Sequence, residues 1–279
     1  MAPPPKSAPH RRLPLRELAQ RRSLILAYHG VGPVLSAEDP NFLRVPADRF
    51  RSQIESLMDA GFRMTTVADL ASRANGGTPP PGWAAISFDD GMQDNHSDAL
   101  PIMRDLGVPG TVYVTTGLIG QRNPWIDYEA RMMTRDELLE LRSEGWELGA
   151  HTITHPDLSA MTRQECVREL AESRATLEEL TGDPVKTFAY PFCKYGPAAL
   201  EAVAEVGFEA AVTCHGRGGW SKYEMKRQMI TGKDGFASFT LKVWELYGPL
   251  FNSSAGRLAR TTTRGARRRA RAVMERRGG

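Results

Sequence analysis

A chain of 279 residues, 41% hydrophobic and 25% charged with a net charge of +3, has the composition of a globular protein with a sizeable buried core, which excludes a disordered or fibrous chain. The charge is uneven: residues 1–22 carry +5 and residues 256–279 carry +8, which leaves the segment 23–255 at −10. An acidic body between two basic ends excludes a dedicated nucleic-acid-binding domain, which would carry its basic charge on the folded surface.

Residues 1–22 are Pro-rich and basic and read as a mostly disordered extension with a short helix near residues 15–20. A buried strand follows over Ser23–Tyr28 and ends at His29-Gly30. Phe50, Ile54, Leu57 and Met58 recur at helical spacing and stop at Gly61. A short strand near Arg63–Val67, a helix near Ala68–Ala74 and a Gly/Pro loop through Pro79–Pro81 lead into a buried strand at Ala84–Phe88. The pattern then predicts a helix over Asp98–Leu106, a strand over Thr111–Thr115, a helix over Arg135–Ser143 and a strand over Glu147–Ala150 that ends at His151. Thr162 caps a long amphipathic helix, Glu165 completes its capping box, and the helix runs to Thr181-Gly182. The strand Thr187–Tyr190, the helix Ala198–Val206, the strand Glu209–Thr213 and a last helix over Ser238–Leu246 complete the alternation.

Seven strands alternating with helices predict βαβ units and a mainly parallel sheet. They form one domain over residues 23–250, followed by an Arg-rich tail over residues 251–279. A doubly wound sheet and a closed barrel both satisfy the alternation. His29, Asp89-Asp90, His151, Pro191-Phe192 and His215 all lie just beyond predicted strands. That favours a barrel, because a ring gathers strand ends from distant parts of the chain onto one rim. Three cysteines without paired spacing, Cys166, Cys193 and Cys214, argue against a disulfide framework and fit a reducing compartment, with Cys193 read as a small buried residue. The first residues hold no apolar stretch of signal-peptide length, and no segment has the roughly 20 apolar residues of a membrane span. The expected location is therefore the cytoplasm.

Asp90, His151 and His155 supply three ligands for one divalent ion and leave Asp89 as a spare carboxylate. Three protein ligands with an open position is the pattern of a catalytic site rather than a structural one. The His-x-x-x-His spacing is expected to set both imidazoles on one side of a helical turn. An imidazole pair with a carboxylate suits Zn first, then Co, Ni or Fe(II), rather than Mg or Ca. Asp89, next to a ligand, is placed to act as general base. His96 reads as a helix-surface residue. Trp220, Tyr223 and Trp125 lie in irregular segments where an aromatic face can stack on a sugar ring.

Ile86-Ser-Phe-Asp-Asp-Gly91 with His151-Thr-Ile-Thr-His155 resembles the first two motifs of the polysaccharide deacetylases, carbohydrate esterase family 4. Ala189-Tyr190-Pro191-Phe192 matches the third, Arg-x-Pro-Tyr/Phe, with Ala189 where many members have arginine and Cys193 where glycine is usual. The late histidine segment of many members is absent. Ala27-Tyr28-His29-Gly30-Val31 and Phe188-Ala-Tyr-Pro-Phe192 instead resemble the poly-N-acetylglucosamine deacetylase branch, in which the motif order is permuted. The resemblance implies an α/β fold, a distorted (β/α)7 barrel of parallel strands, and removal of N-acetyl groups from an amino-sugar glycan or its precursor. It implies that Asp90, His151 and His155 bind the metal, that Asp89 is the base, that His29 is the general acid and that the Phe192 backbone N–H holds the oxyanion. Tyr190, Pro191, Trp220 and Arg227 are assigned to substrate binding, with Arg227 also able to contact Asp89 in place of the missing arginine. His215 competes with His29 as the acid.

Two other functions share these motifs: deformylation or deacylation of a lipid-linked sugar or another non-peptide amide, and a catalytically silent carbohydrate-binding barrel. The expected partner is an N-acetylated glycan or lipid-linked sugar, at the inner membrane face if the Arg-rich tail tethers the chain to anionic lipid.

Overall fold

The computed structural model describes residues 15–33, 39, 41–122, 131–214 and 220–245. The helix α1 (Leu15–Ala19) buries Leu15, Leu18 and Ala19, so packing begins within the basic extension rather than after it. The strand β1 (Leu24–Tyr28) is buried along its whole length. Two short strands, β2 (Gly30–Val31) and β3 (Arg44–Val45), pair beside it and precede α2 (Ala47–Asp59). Then come β4 (Arg63–Thr65), α3 (Val67–Ala74), β5 (Trp83–Phe88), α4 (Leu100–Asp105), β6 (Thr111–Val114), α5 (Arg135–Ser143) and β7 (Glu147–Ala150). The long helix α6 (Arg163–Thr181) carries the expected capping box between Thr162 and Glu165 and ends at Gly182 with φ 73°. The chain continues through β8 (Thr187–Ala189), α7 (Pro197–Val206), β9 (Ala210–Thr213), β10 (Met225–Lys226) and β11 (Gln228–Met229). These belong to one compact unit ending at Gly235; α8 (Phe236–Val243) belongs to a second.

All seven predicted strands are present, and six of them, joined by β10 and β11, form a nearly closed parallel barrel surrounded by helices, in the order β10-β9-β8-β7-β6-β5-β1-β11. The distortion has two sources. β4 stands off the ring and pairs with the first half of β5, while β6 takes the second half of the same edge. The ring is then completed by a segment that periodicity does not reveal. Met225–Lys226 pairs with β9, Gln228–Met229 pairs with β1, and Arg227 lies between them. One five-residue stretch therefore bridges both edges.

Alternation along the strands separates an outer face from the interior. Ile25, Ala85, Tyr113, Ala189, Ala210, Val212 and Met225 cluster inside, joined by Val67 and Leu70 from the start of α3. The interior accommodates Tyr113 because Gly149 stands opposite, where a Cβ would meet the ring at 2.5 Å. On the outer face Tyr28, Phe50, Phe88 and Trp146 pack ring against ring at 5.2–5.8 Å. At the floor of the barrel, the half-buried Glu147 carboxylate accepts from the Ala68 amide and from the hydroxyls of Thr111 and Thr187. Among the described residues, no helix is long and apolar enough to cross a membrane.

Candidate active site

The chemistry-bearing side chains follow the C-terminal ends of parallel strands. His29 lies after β1, Asp89 and Asp90 after β5, His151 and His155 after β7, Phe192 and Cys193 after β8, and Cys214 after β9. They line one pocket of about 330 Å³ together with Asn41, Leu43 and Met229. Hollows of similar size at the other end of the barrel hold no metal-capable cluster among the described residues.

Asp90 Oδ1 is 3.5 Å from His151 Nε2 and 3.3 Å from His155 Nε2. One ligand atom from each of the three buried residues lies within 4.8 Å of the other two. Burial alone would raise the Asp90 carboxyl, but hydrogen bonds from the two histidines hold it well below the usual carboxylate range. His151 Nδ1 lies 2.7 Å from the Ala189 carbonyl, which can only accept, so Nδ1 carries a proton and Nε2 is the nitrogen turned toward Asp90 and able to bind a metal in its place. Two imidazoles and a carboxylate, buried and convergent, therefore fit a divalent metal.

The histidines do not converge through a helical turn. Residues 151–155 form a loop in which Thr152 and His155 adopt positive φ, 67° and 58°. The loop is held by Glu169 on α6, which accepts from the amides of Ile153 and Thr154 and from the Thr154 hydroxyl. Asp90 is likewise left-handed at φ 73°.

Asp89 is 3% exposed and receives both guanidinium nitrogens of Arg227, at 2.6 and 2.8 Å. Burial pushes its carboxyl up, but the charges of Arg227 and His151 and the Arg227 hydrogen bonds outweigh that and hold it below the ordinary value. Arg227 also donates to Ser87 Oγ at 3.2 Å and lies over the Tyr113 ring. His29 is half-buried at the pocket wall, and its carbonyl accepts from Asn95 Nδ2 at 2.7 Å. The neighbouring Asp94 pairs with Arg44 at 2.7 Å, yet burial pushes its carboxyl up to about 6.

Phe192 has φ 55°, an exposed ring, and an edge contact with His155 at 4.5 Å between centroids. The turn Pro191–Cys193 is closed by the amides of Cys193 and Lys194, so it does not use the Phe192 amide.

Several residues fall elsewhere than expected. Tyr190 is fully buried, its hydroxyl donating to the Tyr223 carbonyl, and Pro191 is buried beside it. Arg227 is 1% exposed and spent on Asp89. None of these three lines the pocket. Trp220 packs against the interior cluster by the start of β9, at the opposite end of the barrel. His96 bonds Glu140 at 2.8 Å, away from the triad. Cys193 is bonded to Cys214, which corrects the reading of a disulfide-free chain: two strand-end loops distant in sequence meet at the rim. His215, Trp125 and the Arg-rich tail lie outside the described residues. Glu169, Asp94 and Asn95 escaped the sequence reading. Glu169 did leave a signal, a carboxylate on the apolar stripe Cys166, Leu170, Leu177 of a helix.

The polysaccharide deacetylase family model matches residues 76–211. YxkH of Bacillus subtilis is 26% identical over 190 residues, covering 68% of this chain and 63% of its own length. The poly-beta-1,6-N-acetyl-D-glucosamine N-deacetylase of Staphylococcus aureus (strain MRSA252) is 25% identical over 174 residues, 59% of each. The chain thus spans about three-fifths of the length of these curated relatives. The solved Streptococcus pyogenes deacetylase PplD, in complex with acetate, superposes with a TM-score of 0.69 at 22% identity, covering 81% of this chain and 98% of that one. IcaB from Ammonifex degensii gives 0.66 at 22%, covering 81% and 97%. What is shared at these identities is the fold.

Proposed function

We propose that the chain is a polysaccharide-deacetylase-like, metal-dependent hydrolase that removes N-acetyl groups from an amino-sugar glycan or glycan precursor, a reading supported by the family-model match over residues 76–211. The observation that carries this reading is an ionised carboxylate, Asp89, pinned by Arg227 beside a buried Asp/His/His triad in one pocket. A divalent ion held by Asp90, His151 and His155 would polarise the amide carbonyl and make a water more acidic.

The chain's own groups then divide the remaining work. Asp89 takes a proton from the attacking water, whose oxygen forms the new bond to the carbonyl carbon. The Phe192 amide donates to the oxygen on which negative charge develops. His29 gives a proton to the nitrogen as the C–N bond breaks, releasing acetate and the free amine. The half-buried setting of His29 on the pocket wall supports that role.

The test is acetate and formate release by the metal-reconstituted chain over N-acetylglucosamine oligomers and lipid-linked amino sugars. Acetate release that requires metal, and falls about 10²–10⁴-fold in both Asp89→Asn and His29→Ala, is the expected result. Release of formate alone transfers the reading to a deformylase. No release from any sugar, or wild-type turnover in Asp89→Asn, overturns it.

A further inference from the structure

We propose that Glu169 is a positioning residue of the metal site: its buried carboxylate clamps the loop between His151 and His155 in the conformation that makes their ring nitrogens converge. The inference rests on the metal reading above. Its ground is that the His-x-x-x-His segment has no regular secondary structure to set its shape. Two of its residues, Thr152 and His155, are left-handed without being glycine, a conformation that side chains with a Cβ adopt at a cost. Something outside the loop has to favour it.

The hydrogen bonds show what does. On one side the carbonyls of Thr152 and Ile153 accept from the amides of Thr116 and Gly117, both at 3.0 Å. Gly117 comes so close that a Cβ there would meet the Ile153 oxygen at 2.5 Å. On the other side a single oxygen of Glu169 takes the Ile153 and Thr154 amides, at 2.8 and 3.0 Å, and its second oxygen takes the Thr154 hydroxyl at 2.9 Å. The loop is gripped from both faces, and the Glu169 face is the one that carries charge.

Glu169 is 2% exposed, and among the described residues no cationic side chain pairs with it. A carboxylate buried without a counter-charge is retained only where hydrogen bonds to it are strong and complete. Here all three belong to the three-residue span that separates the two metal histidines. Glu169 touches neither histidine. It fixes the backbone that aims them, as the Ala189 carbonyl fixes the His151 ring. The Thr152 hydroxyl finishes the arrangement by accepting from the His155 amide at 3.0 Å.

The experiment measures Co(II) affinity of the full chain by competition with a chromophoric chelator, for the wild type, Glu169→Ala and Glu169→Gln. Outer partners of metal ligands change affinity by roughly 10–100-fold, and Glu169→Ala is expected in that range with turnover recovered at saturating metal. Glu169→Gln should stay within about threefold, because its amide oxygen can accept both amides and its NH₂ can donate to the Thr154 hydroxyl. Amide exchange of the segment 152–155 in the metal-free protein should accelerate in Glu169→Ala. Glu169→Ala that melts cooperatively yet keeps wild-type affinity and exchange overturns the clamp. If that variant does not fold, Thr154→Val removes one bond at an exposed position; several-fold weaker Co(II) binding supports the clamp and unchanged binding overturns it. A wild-type chain that takes up no Co(II) sinks the metal reading itself, and the exchange comparison still decides the clamp.

Discussion

Replacing Arg227 with methionine tests the arrangement at its most buried point. The side chains of Arg227 and Asp89 are 0% and 5% exposed, so solvent screens the pair little. An exposed pair would be worth about 0–1 kcal/mol, whereas removing one partner of a buried pair costs about 3–5 kcal/mol because a charge is left unpaired. Arg227→Met also deletes the bond to Ser87. The expected loss is therefore about 3–5 kcal/mol in the metal-free protein. At about 2–4 °C per kcal/mol for a chain of this size, the melting point falls by roughly 6–20 °C. Adding Asp89→Asn to the methionine variant should return most of that stability, since position 89 then leaves no unpaired charge.

The sign of the pH effect follows from the same pair. Asp89 titrates below its ordinary 3.8 in the fold, so its contribution is present above 3.8 and is lost as pH falls through the lower folded value. Without Arg227, burial is the largest influence left, the carboxyl rises, and the acid limb of kcat/KM moves to higher pH. Denaturant melts and a pH–rate profile measure the two effects. A loss below about 1 kcal/mol with an unmoved acid limb refutes the reasoning.

Two further outcomes are expected elsewhere in the molecule. The Cys193–Cys214 bond closes a separation of 21 residues, and replacing both by serine should cost about 3 kcal/mol in oxidising buffer. Urea melts of the wild type in reductant should then approach those of the serine variant, and coincident melts before reduction would count against the bond's contribution. Burial raises the Glu147 carboxyl above its ordinary 4.5 despite hydrogen bonds from Thr187, Ala68 and Thr111. The folded chain therefore holds that proton more tightly than the unfolded one, and stability declines as pH rises from 4.5 through the higher folded value. Glu147→Gln should flatten the melting point against pH over that window, and an unchanged slope removes Glu147 as its source.

The alternation of strands and helices was legible because each barrel strand is a short apolar run bounded by glycine or a polar residue, and the chemistry sits at those boundaries. The capping box at Thr162 and Glu165 was readable for the same reason, being wholly local. What escaped depends on partners distant in sequence. The strands around Arg227 are two residues each, too short for any period, and they are strands only because β9 and β1 flank them. The His-x-x-x-His spacing fits a helical turn equally well, and the groups that hold it as a loop, the Thr116 and Gly117 amides and the Glu169 carboxylate, come from other elements. Trp220 was placed by its irregular surroundings, which say nothing about which end of a barrel a loop joins.

The stretch Met225–Met229 completes the ring, and at its centre it carries the counter-charge of Asp89. Ring closure and the pinning of Asp89 thus depend on the same five residues. Without that stretch the barrel stands open between β9 and β1, and Asp89 loses the bidentate partner that fixes its two oxygens. Any change that unseats either short strand therefore also releases Asp89, so the closing joint of the barrel and the setting of the pocket carboxylate are one structural unit.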